Sequence, residues 1–372
     1  EHNIDALLGF ETEDNKYAYN YLSGQDYPGD LYEFTNAGST SADSNIQSYR
    51  LTSFLGRVNY DFGGKYYLSA SYRTDGSSRL ARDNRWGSFW SVSGAWRFTH
   101  ENFMESTKEV LTDGKLRLSY GVNGTQPSVY YGYMNLYKYG QKYNGISGMG
   151  IIGIANPDLK WEKNKTFNVG LDLTFLNRFA LTFDYYQRKT SDLIYDLPVS
   201  QVGGYYDSSY GYYMPVNVGA LKNSGVEVTI QTTNFQTDDF SWTTSLNIGH
   251  NTNELVTLNG EQNEIVSGPL IHRIGKAYYS YYLYEYAGVD PQTGKELFYK
   301  NDGTADARQT TTNVSEANKT IVGKHDAKVE GGLTNNLKWK WFDLGFTFTY
   351  SLGGDAFDYA KWQHSDGGTY LY

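Results

Sequence analysis

The 372-residue chain has no cysteine, only 7 prolines and no continuous apolar run of membrane-spanning length. The absence of cysteine excludes a disulfide framework, a thiolate metal site and a cysteine nucleophile. Without about 18 or more consecutive apolar residues, the sequence contains no candidate transmembrane helix. Basic residues are also outnumbered, since 32 Lys and Arg stand against 41 Asp and Glu. The resulting net charge of −9 argues against a nucleic-acid partner, whose phosphates require a basic surface.

Sequence motifs for catalysis and cofactor binding are missing as well. There is no GxSxG nucleophile elbow and no HExxH zinc motif, and the six histidines lack metal-ligand spacing. Residues 148–153 spell GxGxxG, but Asn156-Pro157 follow where a dinucleotide site needs a helix. We therefore predict that the protein is not an enzyme and has neither a cofactor nor a metal site.

Aromatic residues and glycine are abundant. The 36 Tyr, 18 Phe and 8 Trp make up 17% of the chain, and there are 40 glycines. The mean hydropathy is nevertheless low, at −0.59. Many aromatic residues combined with few aliphatic ones are typical of a barrel that is apolar outside and polar inside.

Alternation of apolar and polar residues is the main structural signal. It extends over about ten positions in 54–62, 166–175 and 341–352. Period two indicates β-strands, and about 9 to 11 tilted residues span a bilayer, roughly twice the length of ordinary strands. A soluble sandwich would alternate too, so strand length, aromatic placement and turn asymmetry favour the membrane barrel.

The connections between predicted strands alternate in length. Strands are predicted near 2–11, 51–62, 65–74, 86–98, 115–124, 161–175, 179–190, 218–233, 240–251, 276–289, 295–300, 325–338 and 341–353. The long connections are 12–50, 75–85, 125–160, 191–217, 252–275 and 301–324. The others are short, except 99–114, which is predicted to contain a helical turn. Long extracellular loops and short periplasmic turns form the outer-membrane pattern.

Aromatic residues crowd the predicted short turns. Phe62 and Tyr66 flank Gly63-Gly64, and Phe175 and Phe179 flank another turn. Because amphipathic rings settle at the membrane interface, this placement predicts an aromatic girdle at one rim.

The strand count bears on domain organisation. About thirteen predicted strands form an odd number, whereas single-chain bacterial barrels use even numbers. An unpaired strand edge in hydrocarbon costs several kcal/mol per orphan group. We therefore expect residues 1–372 to form a partial transmembrane β-barrel domain, all-β and antiparallel, that belongs to a larger barrel.

Tyrosine clusters in two long connections are candidates for contact with a ligand or partner. They comprise Tyr130, Tyr131, Tyr133, Tyr137, Tyr205, Tyr206, Tyr210, Tyr212 and Tyr213. A tyrosine offers a flat apolar face and a hydroxyl at low entropic cost, which suits stacking on sugar rings or gripping a protein. The alternative is that these rings pack loop on loop or form part of the girdle.

Six sequence features stand out in order along the chain: 71–78 (SYRTDGSS), 115–121 (KLRLSYG), 156–162 (NPDLKWE), 168–172 (NVGLD), 217–227 (NVGALKNSGVE) and the glycine pairs at 331–332 and 353–354. Taken in this order, they resemble the SusC/RagA family of TonB-linked outer-membrane transporters. Together these motifs cover most of the chain.

This resemblance implies a plugged outer-membrane barrel of about 22 strands. Such a barrel imports oligosaccharides, or sometimes peptides, with energy passed from TonB and under a SusD-like surface lipoprotein lid. The plug, the N-terminal extension and TonB box, and the final barrel strands are expected to lie outside this stretch. Two alternatives remain open: a passive porin-like barrel without a plug, and a soluble β-rich glycan-binding protein.

Overall fold

The computed structural model describes residues 1–30, 33–199, 213–258, 260, 262–303 and 308–364. In chain order the strands are β1 (His2–Gln25), β2 (Ser39–Phe62), β3 (Tyr66–Ser77), β4 (Trp86–Trp96), β5 (Leu111–Thr125), β6 (Leu136–Tyr143), β7 (Ile146–Gly153), β8 (Glu162–Phe175), β9 (Phe179–Ser191), β10 (Ile194–Pro198), β11 (Tyr213–Asn217), β12 (Ala220–Gln236), β13 (Phe240–Thr257), β14 (Glu264–Ser267), β15 (Leu270–Arg273), β16 (Ser280–Leu283), β17 (Tyr286–Val289), β18 (Glu296–Tyr299), β19 (Thr310–Thr311), β20 (Thr320–Lys324), β21 (Val329–Trp339) and β22 (Phe342–Leu352). A short helix, α1 (Tyr359–His364), follows. Within the described ranges, no helix has the length and apolar character needed to cross a membrane.

Eleven strands of the described part form one continuous sheet, which we call the wall sheet. Its order is β1-β2-β3-β4-β5-β8-β9-β12-β13-β21-β22. Every neighbouring pair is antiparallel. The wall is thus a meander in which each strand lies beside the preceding wall strand. The predicted all-β, antiparallel barrel fold class is confirmed.

The wall sheet has one apolar and one polar face. In β8, Phe167 and Leu171 lie on the apolar face and Asp172 lies on the other. The register continues this pattern sideways, because Leu171 is paired with Leu116 of β5 and with Phe183 of β9. An apolar outer band and a polar interior are the arrangement of a transmembrane barrel. The apolar face is therefore the outward face, and the polar face lines the interior.

Aromatic rings gather at the short turns, where the sequence predicts a girdle. Phe62 and Tyr66 stack with their ring centroids 6.3 Å apart. Between them, Gly63 and Gly64 have φ of 60° and 65°, a conformation that glycine adopts without steric cost. Similar ring pairs at the other short turns are Phe235–Trp242, Trp339–Phe342 and Trp341–Phe342. The rings mark the rim of the wall at the short-turn end.

The first hairpin is much longer than predicted. Strands β1 and β2 have 24 residues each and remain paired from His2–Phe62 to Gln25–Ser39. At about 3.3 Å per residue, such a strand is roughly twice as long as a bilayer crossing requires. The predicted loop 12–50 is therefore largely a projecting hairpin, and the prediction was wrong there. Both faces of the projection lie in water, so the alternation is weaker there than in the wall and is confined to Tyr17, Tyr19 and Tyr21.

Two segments predicted as wall strands lie elsewhere. Strands β16 and β17 fall within 276–289, and β18 falls within 295–300, but they belong to small four-stranded and three-stranded sheets. These strands have four residues each, and their pairings contain register shifts. A strand of four residues is too short to cross a bilayer, which requires about 9 to 11 residues. Within β17, Gly288 has φ of 111° and interrupts the extended backbone where the β17–β18 pairing shifts register. All of these strands lie in the long connection between β13 and β21.

The connection between β4 and β5 contains the helical turn predicted for 99–114. Two 3-10 helices occupy it, Phe98–His100 and Asn102–Thr107. The other described connections at this end of the wall are tight turns, so the sorting of long and short links agrees with the prediction.

Candidate site at the extracellular ends of the wall strands

A small apolar core joins the long connections to the wall. It is formed by four buried side chains, Leu80, Phe89, Leu159 and Trp161. The rings of Phe89 and Trp161 meet edge to face at 5.4 Å. Phe89 belongs to β4, whereas the other three come from two separate connections. Burial of such side chains stabilises by about 1.5–3 kcal/mol each, so this core holds the loop bases in place.

Hydrogen bonds from the segment 156–162 tie the same loops together. The indole N–H of Trp161 donates to the backbone carbonyl of Arg85 at 2.9 Å. The side-chain amide of Asn156 donates to the carbonyl of Pro215 at 2.7 Å. The segment that carries the family resemblance therefore fastens three connections to one another.

Asn217 completes this attachment from the end of β11. Its side-chain oxygen accepts from the backbone N–H of Lys160 at 2.8 Å. Its side-chain N–H group donates to the carbonyls of Lys160 and Asp192, each at 2.9 Å. One amide thus satisfies backbone groups of two connections and fixes where the β10–β11 hairpin leaves the wall.

Tyr130 packs within the loop base. The guanidinium of Arg79 lies 4.0 Å from the ring centroid of Tyr49 and 4.5 Å from that of Tyr130. It also donates to the carbonyl of Pro127 at 2.8 Å. A cation between two aromatic faces gains electrostatic and packing energy. Tyr130 therefore packs within the loop base, which is the alternative to ligand contact that the sequence left open.

Tyr131 contacts the projecting hairpin. Its hydroxyl accepts a hydrogen bond from the backbone N–H of Ser48 at 3.0 Å. Nearby, the hydroxyl of Tyr49 donates to the carboxylate of Glu13 at 2.6 Å. That hydrogen bond is the main reason why the pKa of Tyr49 is raised above its ordinary value. The Tyr131 hydroxyl thus connects the loop base to the hairpin, and the Tyr49 hydroxyl connects the two strands of the hairpin.

The other candidate tyrosines are spread over several elements. Tyr137 lies on β6 and is 48% exposed, and Tyr213 lies on β11 and is 47% exposed. Tyr133 is half-buried at the base of the β6–β7 hairpin. The remaining candidates lie outside the described residues, namely Tyr205, Tyr206, Tyr210 and Tyr212. A role of these nine tyrosines in ligand or partner contact stays a prediction.

A further row of exposed tyrosines, not predicted from the sequence, lies on the projecting hairpin. Tyr17, Tyr19 and Tyr21 alternate along one face of the projecting part of β1 and are 41–51% exposed. Their spacing of two residues was a usable signal, but the segment was assigned to a loop. On a strand, the same spacing places all three rings side by side on one surface.

An apolar cavity of about 190 Å³ lies on the interior side, above the ends of β12 and β13. The residues that line this cavity include Tyr195, Leu221, Leu255, His272 and Tyr278. The His272 ring stacks on Tyr278 at 4.3 Å, and its Nδ1 lies 2.7 Å from the Tyr278 carbonyl oxygen. Burial raises the pKa of Tyr278. The cavity has room for one small apolar group and is smaller than typical ligand pockets of about 300–1,000 Å³.

The interior face carries ordered ion pairs. Arg117 of β5 forms a two-pronged contact with Asp172 of β8, at 2.8 and 2.9 Å, and reaches Asp184 of β9 at 3.1 Å. Such bidentate guanidinium–carboxylate pairs are geometrically specific. Three neighbouring strands are therefore connected through one side chain.

A second interior cluster lies around Arg73 of β3. Its guanidinium contacts Asp75 at 2.6 Å, Glu11 at 2.8 Å and the hydroxyl of Ser53 at 2.8 Å. Both clusters present fixed charges toward the interior of the wall, where they are available to polar contents of the barrel.

Metal and nucleotide sites have no support in the described part of the chain. There, no group of three or more His, Asp or Glu side chains is arranged to hold a metal ion. The GxGxxG glycines at 148–153 lie in β7, a strand of an extracellular hairpin, rather than between a strand and a helix. The described residues instead form a membrane-spanning wall sheet with packed loops at its extracellular end.

Comparison with known proteins agrees with this architecture. The family described as "TonB dependent receptor-like, beta-barrel" matches residues 2–270. The chain belongs to this family. The predicted outer-membrane location follows from the membership, and the soluble alternative does not fit it.

Individual relatives place the chain with the SusC/RagA type. The RagAB peptide transporter superposes with a TM-score of 0.83 and 29% identity, over 95% of this chain and 39% of that chain. SusC of Bacteroides thetaiotaomicron is 31% identical, over 94% of this chain and 36% of its own length. TonB-dependent receptor P3 of Formosa agariphila is also 31% identical, over 96% of this chain and 38% of its length. The chain thus spans less than two fifths of these relatives, which are receptors and transporters rather than enzymes.

Proposed function

We propose that the chain forms part of the barrel of an importer that takes up oligosaccharides or peptides across the outer membrane. A SusD-like lipoprotein covers this barrel, and TonB supplies the energy through a part of the receptor that precedes the chain. The observation that carries the proposal is the superposition on the RagAB peptide transporter over 95% of the chain. The similarity to SusC over 94% of the chain supports it.

Energy coupling separates this proposal from the passive porin alternative. In cells that produce the intact receptor, uptake of a labelled oligosaccharide or peptide pool is measured with and without functional TonB. We expect uptake to be abolished without TonB, while the amount of receptor in the outer membrane is unchanged. Uptake that persists at its full rate without TonB would favour the porin.

The cargo class is tested by deleting the receptor gene and growing the cells on either oligosaccharides or peptides as the limiting nutrient. Loss of growth on one nutrient, restored by the intact gene, assigns the class. Normal growth on both would contradict the proposed import of either cargo.

The tyrosine candidates are tested in the intact receptor by the triple change Tyr205→Ala, Tyr206→Ala and Tyr212→Ala. A stacked aromatic ring contributes about 0.5–1.5 kcal/mol, so loss of three is expected to weaken uptake or lipoprotein binding at least tenfold. The matched control is the corresponding triple change to Phe, which keeps the rings and removes only the hydroxyls. Unchanged uptake and lipoprotein binding in the Ala variant would show that these tyrosines do not contact the cargo or the lipoprotein, and would favour packing between loops.

A further inference from the structure

Three lysines lie side by side on neighbouring strands of the wall. The register pairs Lys165 of β8 with Lys189 of β9, and Lys189 with Lys222 of β12. Directly opposed side chains have Cβ atoms about 4.5–5.5 Å apart, and like charges at that distance destabilise a sheet. Lys163 lies two residues before Lys165 and adds a fourth positive charge. We call these four residues the lysine row.

The lysine row lies on the outward face. Along β8, Lys163 and Lys165 share their face with Phe167 of the apolar band, because side chains alternate along a strand. The intervening Asn164 is buried on the opposite face, where it accepts from Arg188 and Thr190. The positive charges therefore do not point into the barrel interior.

The height of the row is set by its distance from the short turns. Lys165 and Lys189 each lie ten residues along the strand from Phe175 and Phe179, which face each other at the β8–β9 turn. At about 3.3 Å per residue and a tilt near 45°, this distance is roughly 23 Å along the membrane normal. The apolar band of an outer-membrane barrel is about 25 Å tall. The lysines therefore lie at the outer edge of that band, at the level of lipid headgroups.

The charges of the row are largely uncompensated. Lys222 approaches Glu254 of β13 at 4.0 Å. Within the described residues, Lys163, Lys165 and Lys189 have no carboxylate within 4.0 Å. On the other side, the row ends at Val122 of β5, which is paired with Lys165. A cluster of like charges at a headgroup interface attracts anionic groups from the lipid.

We propose that the lysine row binds the phosphate groups of a phosphorylated outer-leaflet glycolipid of the lipid A type. Each ammonium offers three hydrogen-bond donors to phosphate oxygens, and binding removes the repulsion between the paired lysines. The acyl chains of the same lipid lie against the apolar side chains just below the row, such as Phe167 and Tyr185. One lipid molecule is thereby held against β8, β9 and β12.

The test uses the intact receptor, purified in detergent, with the triple change Lys165→Gln, Lys189→Gln and Lys222→Gln. Bisphosphorylated lipid A is titrated in micelles, and bound lipid is measured by native mass spectrometry. One lysine near an anionic lipid surface is worth about a fivefold change in affinity, so the triple change is expected to weaken binding on the order of 100-fold. Folding of each variant is checked by its heat-modifiable migration on gels.

The matched control removes the same charge elsewhere through Lys16→Gln, Lys138→Gln and Lys295→Gln, three exposed positions outside the wall band. We expect it to bind lipid A as the unchanged receptor does. We also expect lipid A without phosphates to bind no better to the unchanged receptor than to the triple variant. Equal affinity of the two triple variants would overturn the proposal. Displacement of the lipid by inorganic phosphate at matched concentration would also overturn it, because the site would then prefer a free anion.

Discussion

The indole N–H of Trp161 lies 2.9 Å from the backbone carbonyl oxygen of Arg85 and donates a hydrogen bond to it. The two residues belong to different extracellular connections, and the Trp161 ring is buried against Phe89 of the wall. The Trp161 side chain thus packs in the apolar core and also forms a hydrogen bond between two loops. The positions of these loops at the extracellular surface depend on Trp161.

The change Trp161→Phe keeps most of the ring and removes the donor. The Arg85 carbonyl still accepts a hydrogen bond from the backbone N–H of Ser77 at 3.1 Å, so the change removes one of its two hydrogen bonds. One such bond contributes about 0.5–1.5 kcal/mol, and we therefore expect a lower free energy of unfolding and faster proteolysis within 126–160. Trp161→Ala is expected to cost about 3–5 kcal/mol, because it also opens a cavity. The control is Trp339→Phe at the opposite rim, where the ring is 58% exposed. Similar losses in both Phe variants would contradict the anchoring role.

Replacing Arg117 by Met is expected to destabilise the wall, since Asp184 loses its guanidinium partner and Asp172 keeps only the longer contact with Lys115 at 3.9 Å. Hydrogen bonds to charged groups are worth about 1.5–3 kcal/mol, and partial exposure of this cluster reduces the effect toward the lower value. The double variant Arg117→Met/Asp172→Asn is expected to recover part of the loss. Unfolding by urea in detergent measures both. Strictly additive losses would show that the pair does not interact.

Gly331 is expected to reject a larger side chain. A Cβ at this position would overlap the backbone carbonyl oxygen of Asn247 and approach the ring of Tyr350. The Tyr350 hydroxyl donates to that same carbonyl at 3.0 Å, so the ring has little freedom to withdraw. We expect Gly331→Ala to lower assembly into the outer membrane by several-fold. Gly249→Ala is the control, since its Cβ would meet its nearest neighbour at an ordinary 3.7 Å. Equal assembly of both variants would refute the steric argument.

The periplasmic connection 97–110 is expected to respond to pH through Glu101. Hydrogen bonds to its carboxylate, first from Tyr66 and then from Trp96, hold its pKa below the ordinary value of 4.5. A lowered pKa means that the stabilisation is complete above pH 4.5 and is lost as the pH falls through the lowered value. Hydrogen exchange in 97–110, measured from pH 7 to pH 3 with correction for intrinsic rates, should show this loss. Glu101→Gln should remove the dependence, whereas Glu105→Gln should retain it.

Much of the wall was predictable from local sequence pattern. The alternation in 166–175 and 341–352 identified β8 and β22, because one face of each strand contacts lipid and the other faces a polar interior. The aromatic residues at the short turns identified one rim for a similar reason. Where both environments are aqueous, as in the projecting part of β1 and β2, the alternation is reduced to the tyrosines on one face of β1, and these strand segments were missed.

The candidate tyrosines illustrate what local pattern leaves open. Tyr130 and Tyr137 belong to one cluster in the sequence, yet Tyr130 packs on Arg79 whereas Tyr137 is exposed on a hairpin. The sequence identifies aromatic rings that could contact a ligand. Only the tertiary structure shows whether another side chain already packs on the face of each ring.

The sequence by itself determined the membrane-crossing parts of the wall strands, the short turns between them and the membrane location, since each depends on residues close together in the chain. The tertiary structure alone decided which side chains meet across strands. Lys165, Lys189 and Lys222 appear unrelated along the chain and become one positive row only through the register. Register depends on the turns and on pairing of whole strands, so it brings distant residues together in a way that no single segment specifies.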